Sequence, residues 1–302
     1  MFIKPDTIDI TIHKMYAEDG LELDGILFEP KKKTKKIIIH IHGKEGHFIQ
    51  NHFVTVMGYT YPLYDYAFLT FNNRGHDYIA DMLKLSTQGL EWVTRGTAYD
   101  SIEEAKYDIN GVITYLQNLG FDEFILQGHS IGPHKICFYL ADKPKYHIHK
   151  IILLSTADVA GILDVYVPEW RKYVSFAKKL IDQGKELELM PIRLWSNAMV
   201  SAKTYWDYTN ENSNIWIFNF TSPEKGFKHF NKIDTPMIII NPENDFGCPG
   251  VTSDKRIKLL KKNTVSKKST FIILKDAIHN FAQSEEKLTE QIVLWLKNQL
   301  VF

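Results

Sequence analysis

Apolar residues in this chain gather into short unbroken runs separated by polar stretches with helical spacing. Six runs are dense enough to be buried on both faces: "IIIHI" within residues 31–43, "YAFLTF" (66–71), "EFILQG" (123–128), "KIILLS" (150–155), "PMIIIN" (236–241) and "TFIILK" (270–275). Runs that are apolar on both sides are the mark of parallel strands covered by helices. Two alternating stretches precede them, "TIDITIH" (7–13) and "LELDGILFEP" (21–30), and they read as a hairpin-like antiparallel start. Residues 101–119 carry Ile102, Ala105, Ile109, Val112, Ile113 and Leu116 at helical spacing. Asp100 or Ser101 stands ready as a cap, with Glu104 completing a capping box. The stretch 285–301 is amphipathic in the same way. Strands alternating with helices predict an α/β fold: a doubly wound, mostly parallel sheet with antiparallel N-terminal strands.

One segment breaks the alternation. Between the strand near Ser155 and the strand at Pro236 the pattern is helical and aromatic-rich, and four of the six tryptophans fall there: Trp170, Trp195, Trp206 and Trp216. A structureless loop of that length would be unusual in a compact domain. The segment therefore reads as an inserted helical cap over residues 159–230, with residues 1–158 and 231–302 forming the core. Trp170, Trp195 and Trp206 are its candidates for lining a substrate pocket.

Composition narrows the function classes. Lys+Arg and Asp+Glu are each 36 in 302 residues, so the formal net charge is zero and no overall basic field favours nucleic acid. No apolar run is long enough to span a membrane, and the N-terminal "MFIKPDTIDI" lacks the apolar core of a signal peptide. Two cysteines, Cys137 and Cys248, argue against a disulfide framework and for a cytoplasmic location. Neither a G-x-G-x-x-G nor a phosphate loop is present, so no nucleotide cofactor is expected. His40, His42, His47 and His52 fall close together but lack the helical pair spacing of a metal site, and no metal is expected.

The candidate chemistry lies in "FILQGHSIGPHK" (124–135), where Gly128-His129-Ser130-Ile131-Gly132 fits G-x-S-x-G between a buried strand and a helical segment. A tight strand-to-helix turn lifts a serine hydroxyl above the sheet, and the flanking glycines let the backbone pass closely. Pro133 suits the first helical turn, where its missing N–H costs little. A nucleophilic serine needs a base, and the base needs an orienting acid. His279 follows the strand "TFIILK", and Asp245 follows "PMIIIN". All three stand beyond the C-terminal ends of strands expected to be parallel, so they share one edge of the sheet. Glu243 and Asp158 are competing candidates for the acid. His42-Gly43 ends another strand, which brings the backbone N–H of Lys44 toward that of Ile131 as an oxyanion hole. Arg74, in "FNNRGHD" (71–77), reads as a loop buttress in preference to a substrate ligand.

With these motifs in place the sequence resembles the α/β-hydrolase superfamily across nearly its whole length. "HGKEGHF", "TFNNRGHD" and "GTAYDSIEEAKYDI" look like a branch that includes fungal siderophore esterases. The resemblance implies a cofactor-free serine hydrolase acting on a small-molecule carboxylic ester, thioester or amide. Ser130 would be nucleophile, His279 base and Asp245 acid, with the insertion over the pocket. An acyltransferase using the same triad and a non-catalytic ligand receptor on the same fold are the alternatives.

Overall fold

A computed structural model describes residues 6–194 and 198–298. Its N-terminal half contains strands β1 (Ile8–Tyr16), β2 (Glu22–Pro30) and β3 (Lys36–Ile41), helix α1 (His52–Thr60), strands β4 (Ala67–Phe71), β5 (Ala80–Ser86) and β6 (Gly89–Arg95), and helix α2 (Ala105–Asn118). Strand β7 (Glu123–His129), helix α3 (Gly132–Ala141) and strand β8 (Lys150–Leu154) follow. The long insertion holds α4 (Val159–Tyr166), α5 (Trp170–Asp182), the hairpin β9 (Leu189–Leu194) and β10 (Ala198–Ser201), and α6 (Ala202–Thr209). Strand β11 (Met237–Asn244), helix α7 (Ser253–Asn263), strand β12 (Ser269–Ile278) and helix α8 (Glu285–Asn298) complete the chain.

Eight strands form one sheet in the order β1-β2-β4-β3-β7-β8-β11-β12. The β1–β2 and β2–β4 pairs are antiparallel, and every pair from β4 onward is parallel, as the apolar runs predict. Because side chains alternate across a strand, Ile37 and Ile39 join one apolar layer and Ile38 the other. The first layer lies under α2, α3 and the insertion; the second lies under α1 and α8. The helices thus cover both faces, while the C-terminal strand ends meet at one edge where the loops remain available for chemistry.

Two local expectations differ. Ser101 does not cap the helix that follows: its hydroxyl donates to Glu103 and Asp207, and the first turn is a 3₁₀ turn over Ile102–Glu104 before α2 begins. Asp100 pairs instead with the buried Lys135 ammonium at 2.8 Å. The hairpin β5–β6 was not foreseen, although its alternating pattern around Gly89, with Leu83 opposite Trp92 and Leu85 opposite Leu90, carries the signal.

The insertion's aromatic residues serve mainly as core. Trp170, Tyr205, Tyr208, Trp216, Phe218 and Phe220 are buried in the apolar layer shared with α2 and α3. Trp170 meets Trp216 edge-on with ring centroids 6.2 Å apart, a geometry that adds to the burial itself. Asp158 starts the insertion as the N-cap of α4. Its carboxylate accepts from Gly161 N at 2.9 Å, from Thr221 N at 2.6 Å and from Thr221 Oγ1 at 2.8 Å. That buried carboxylate, whose affinity for protons burial pushes up, pins the insertion's first and later segments together.

Candidate active site

Ser130 sits at the end of β7 with φ of +61°, a left-handed conformation that non-glycine residues adopt at a cost of about 1–3 kcal/mol. Two glycines make the turn possible. A Cβ on Gly128 would lie 2.5 Å from the carbonyl carbon of Gly132, and one on Gly132 would lie 2.2 Å from the carbonyl oxygen of Ile41. Both distances are inside hard-sphere contact, so no other residue fits either position without moving the backbone.

Ser130 Oγ lies 2.9 Å from His279 Nε2, and His279 Nδ1 lies 2.6 Å from Asp245 Oδ1. With the ring proton on Nδ1 donated to the carboxylate, the Nε2 lone pair accepts from the serine hydroxyl. The three residues come from the ends of β7, β11 and β12, three parallel strands whose C-termini share one edge. Asp245 Oδ1 also accepts from Gly247 N at 2.7 Å, which fixes the acid's own rotamer. Glu243 faces away: its carboxylate accepts from Asp276 N at 3.1 Å. The structure therefore brings Asp245, and neither Glu243 nor Asp158, to the imidazole.

Several supports were not foreseen from the sequence. The carbonyl oxygen of His279 accepts from His129 Nε2 at 2.8 Å and from Ser155 Oγ at 2.6 Å, which ties the histidine loop to the ends of β7 and β8. Phe246, next to Asp245, lays its ring against His279 with centroids 4.3 Å apart. Arg256 on α7 is buried with its Nη1 3.8 Å from Asp245 Oδ2. His129 and Phe246 flank residues singled out in the sequence, whereas Arg256 stands on α7 well beyond Asp245, and only the folded loops reveal the contacts.

Gly43 approaches from the end of β3. A Cβ there would stand 2.8 Å from Ser130 Cβ and 3.3 Å from its Oγ, so glycine is required for the close approach. Gly43, Lys44, Ser130, Ile131 and His279 all line one cavity of about 560 Å³, a volume suited to a small organic ligand. Its walls differ in character. Ala157, Ile162, Tyr166 and Phe246 form an apolar side, with Ile162 and Tyr166 contributed by α4 of the insertion. Lys44, Glu45, Gln50 and Asn51 form a polar side, and the Lys44 ammonium is paired with the Glu45 carboxylate. Burial pulls the Lys44 ammonium's proton affinity down, while Glu45 opposes that shift.

Two of the insertion's candidate tryptophans lie elsewhere. Trp170 and Trp206 line a separate shallow groove beside α5 and α6, and Trp195 lies outside the described residues. Arg74 is a buttress, bound to carboxylates: it is buried and pairs with Asp108 and Asp19 at 2.8 Å each. His40 accepts from Gln127, and His42 donates to the Gly43 carbonyl while accepting from Asn73 N. Among the described residues, no group of three or more metal-ligating side chains comes together.

The nucleophile turn, the sheet order and the helices on both faces define an α/β-hydrolase fold. Solved structures share it. Siderophore hydrolase EstB from Aspergillus fumigatus is similar at 14% identity and a TM-score of 0.69, over 96% of this chain and 98% of that one. The α/β hydrolase GrgF from a Penicillium species is similar at 15% identity and a TM-score of 0.66, over 97% and 100%. Est1E from Butyrivibrio proteoclasticus, with ferulic acid bound, is similar at 16% identity and a TM-score of 0.63, over 95% and 99%. The chain belongs to the family described as a protein of unknown function (DUF1749), which matches residues 90–297. No curated protein matches the sequence.

Proposed function

We propose that the protein is a serine hydrolase that cleaves a small-molecule carboxylic ester through an acyl-enzyme on Ser130. The observation that carries this reading is the unbroken relay from Ser130 Oγ to His279 to Asp245, at 2.9 and 2.6 Å, opening into a cavity of about 560 Å³. Solved neighbours of the fold, among them an esterase and a siderophore hydrolase, agree with ester chemistry.

In this mechanism Ser130 Oγ attacks the ester carbonyl as its proton passes to His279 Nε2. Asp245 stabilises the imidazolium and holds the tautomer. The developing oxyanion takes hydrogen bonds from the backbone N–H groups of Ile131 and Lys44. His279 then returns the proton to the leaving alcohol as the ester bond breaks, takes one from water as the water attacks the acyl carbonyl, and passes it to Ser130 Oγ as the acyl–serine bond breaks and the acid leaves. The apolar wall of Ile162, Tyr166 and Phe246 receives one half of the ester, and the polar wall the other. Residues 159–230 act as the cap, since α4 supplies part of the apolar wall. Two unpaired, buried cysteines support a reducing, cytoplasmic setting. No described helix is long and apolar enough to cross a membrane.

A fluorophosphonate probe tests the reading. It should label Ser130 in the folded protein and fail to label Ser130→Ala. Labelling elsewhere, or none, contradicts it. Adding an alcohol or amine acceptor during ester turnover separates hydrolysis from acyl transfer by the product formed.

A further inference from the structure

We infer that Arg256 is a positioning residue for Asp245, and that the relay is a four-membered unit, Arg256–Asp245–His279–Ser130. This rests on the proposed triad and extends it by one charge. The Arg256 side chain is 1% exposed, and the Asp245 side chain is fully buried. Arg256 Nη2 is held by the carbonyl of Glu243 at 2.8 Å and by Ser253 Oγ at 3.0 Å, which aims the guanidinium along the acid loop. Nη1 then faces Asp245 Oδ2 at 3.8 Å. Neither Arg256 Nη1 nor Asp245 Oδ2 has a hydrogen-bond partner, although both are buried.

A buried guanidinium without a counter-charge is costly. Asp245 is the carboxylate within ion-pair distance of it among the described residues. One carboxylate thus serves two cations in turn: Arg256 permanently through Oδ2, and the His279 imidazolium during turnover through Oδ1. The consequence is electrostatic. A fixed positive charge behind the acid competes with the imidazolium for the Asp245 carboxylate. It also holds Oδ1 toward the ring. The other ionisable groups around the unit are already committed. Asp158 accepts from Gly161 and Thr221. The Cys248 thiol donates to the Thr156 carbonyl, and burial together with the Asp245 charge keeps it protonated. Glu243 points its carboxylate at Asp276 N, and His129, its ring centroid 5.1 Å from that of His279, is held neutral chiefly by burial.

The test compares Arg256→Gln with Arg256→Lys, each first checked for native folding by circular dichroism and thermal melting. In Arg256→Gln the acid limb of the kcat/KM pH profile should move up by about half a pH unit to one unit, as expected for removing a nearby charge in a medium of intermediate dielectric. Its kcat should fall roughly tenfold with little change in KM, because Asp245 Oδ1 is no longer held toward the ring as the imidazolium forms. Arg256→Lys should recover most of both. The downfield Nδ1–H proton resonance of His279 should shift in Arg256→Gln and return toward its wild-type position in Arg256→Lys. An unmoved limb and resonance in well-folded Arg256→Gln overturn the inference, and so does equal loss in the two variants with no limb shift. Asp245→Asn supplies a readout that needs neither activity nor the Arg256→Gln fold. Leaving the guanidinium without its carboxylate should lower the folding equilibrium constant at least about tenfold, and an unchanged urea midpoint overturns the pairing. Absence of Ser130 labelling in wild-type protein would remove the hydrolase reading while these stability and resonance measurements still decide the pairing.

Discussion

Mild acid should destabilise this protein before its carboxylates titrate, because four imidazoles are buried in the neutral form. Burial lowers His40 to about 3 and His134 to about 4. It also holds His42 and His129 well below the ordinary value, with the nearby charges of Lys135 and His279 respectively acting in the same direction. In the unfolded chain each would titrate near about 6.5. A folded-state value below the unfolded one means the stability is present above about pH 6.5 and is lost as pH falls toward the folded values. Over the step from pH 7 to pH 5 His40 and His134 should each remove about 2 kcal/mol, about 4 kcal/mol together, and His42 and His129 act in the same direction. That is a large share of the stability of a typical domain, about 5–15 kcal/mol. Half-buried His13, His149 and His229 are lowered by burial too and add in the same direction. Urea unfolding at half-unit pH intervals measures the effect, and His40→Gln should reduce the slope near pH 5.5 by about 1.2 kcal/mol per pH unit. A stability that stays level from pH 7 to pH 5 would refute neutral burial of these rings.

Other outcomes follow from the site. Asp245→Asn should lower kcat by about three to four orders of magnitude through the wrong histidine tautomer, whereas Glu243→Gln should lose less than about tenfold; steady-state kinetics on an aryl ester decides. Asp158→Asn should leave kcat within about tenfold but reduce thermal stability, since it removes charge from a buried carboxylate accepting three hydrogen bonds. Gly43→Ala should fold and lose activity, because its Cβ would stand 2.8 Å from Ser130 Cβ. Tyr166→Ala should shift selectivity among ester chain lengths by roughly tenfold, while Trp206→Ala should leave the selectivity profile unchanged; a matched series of aryl esters reads both.

The strand pattern made the sheet legible. β-branched runs buried on both faces have few alternatives, and G-x-S-x-G at the end of one run fixed where a nucleophile would stand. The C-terminal positions of Asp245 and His279 followed from the parallel order, which the structure has. What the sequence left hidden is what depends on loop conformation. Asp245, Glu243 and Asp158 are equally acidic on paper. They separate only because Gly247 N holds one toward His279, Asp276 N draws the second away, and Thr221, some sixty residues on, engages the third. The insertion's tryptophans gave the opposite lesson. An aromatic-rich segment reads equally well as a pocket lining or a packing core, and the burial of Trp170 and Trp216 against each other assigns these two to packing. Tyr166 and Phe246 face the cavity instead, and no periodicity distinguishes them from their neighbours.

The central claim is a covalent acyl group on Ser130, and mass spectrometry of the protein quenched within its first turnovers on an aryl ester tests it most directly. The account predicts a pre-steady-state burst of the aryl alcohol matched by one acyl adduct on the peptide carrying Ser130, absent in Ser130→Ala. A burst without an adduct, an adduct on another residue, or turnover that survives in Ser130→Ala would contradict it.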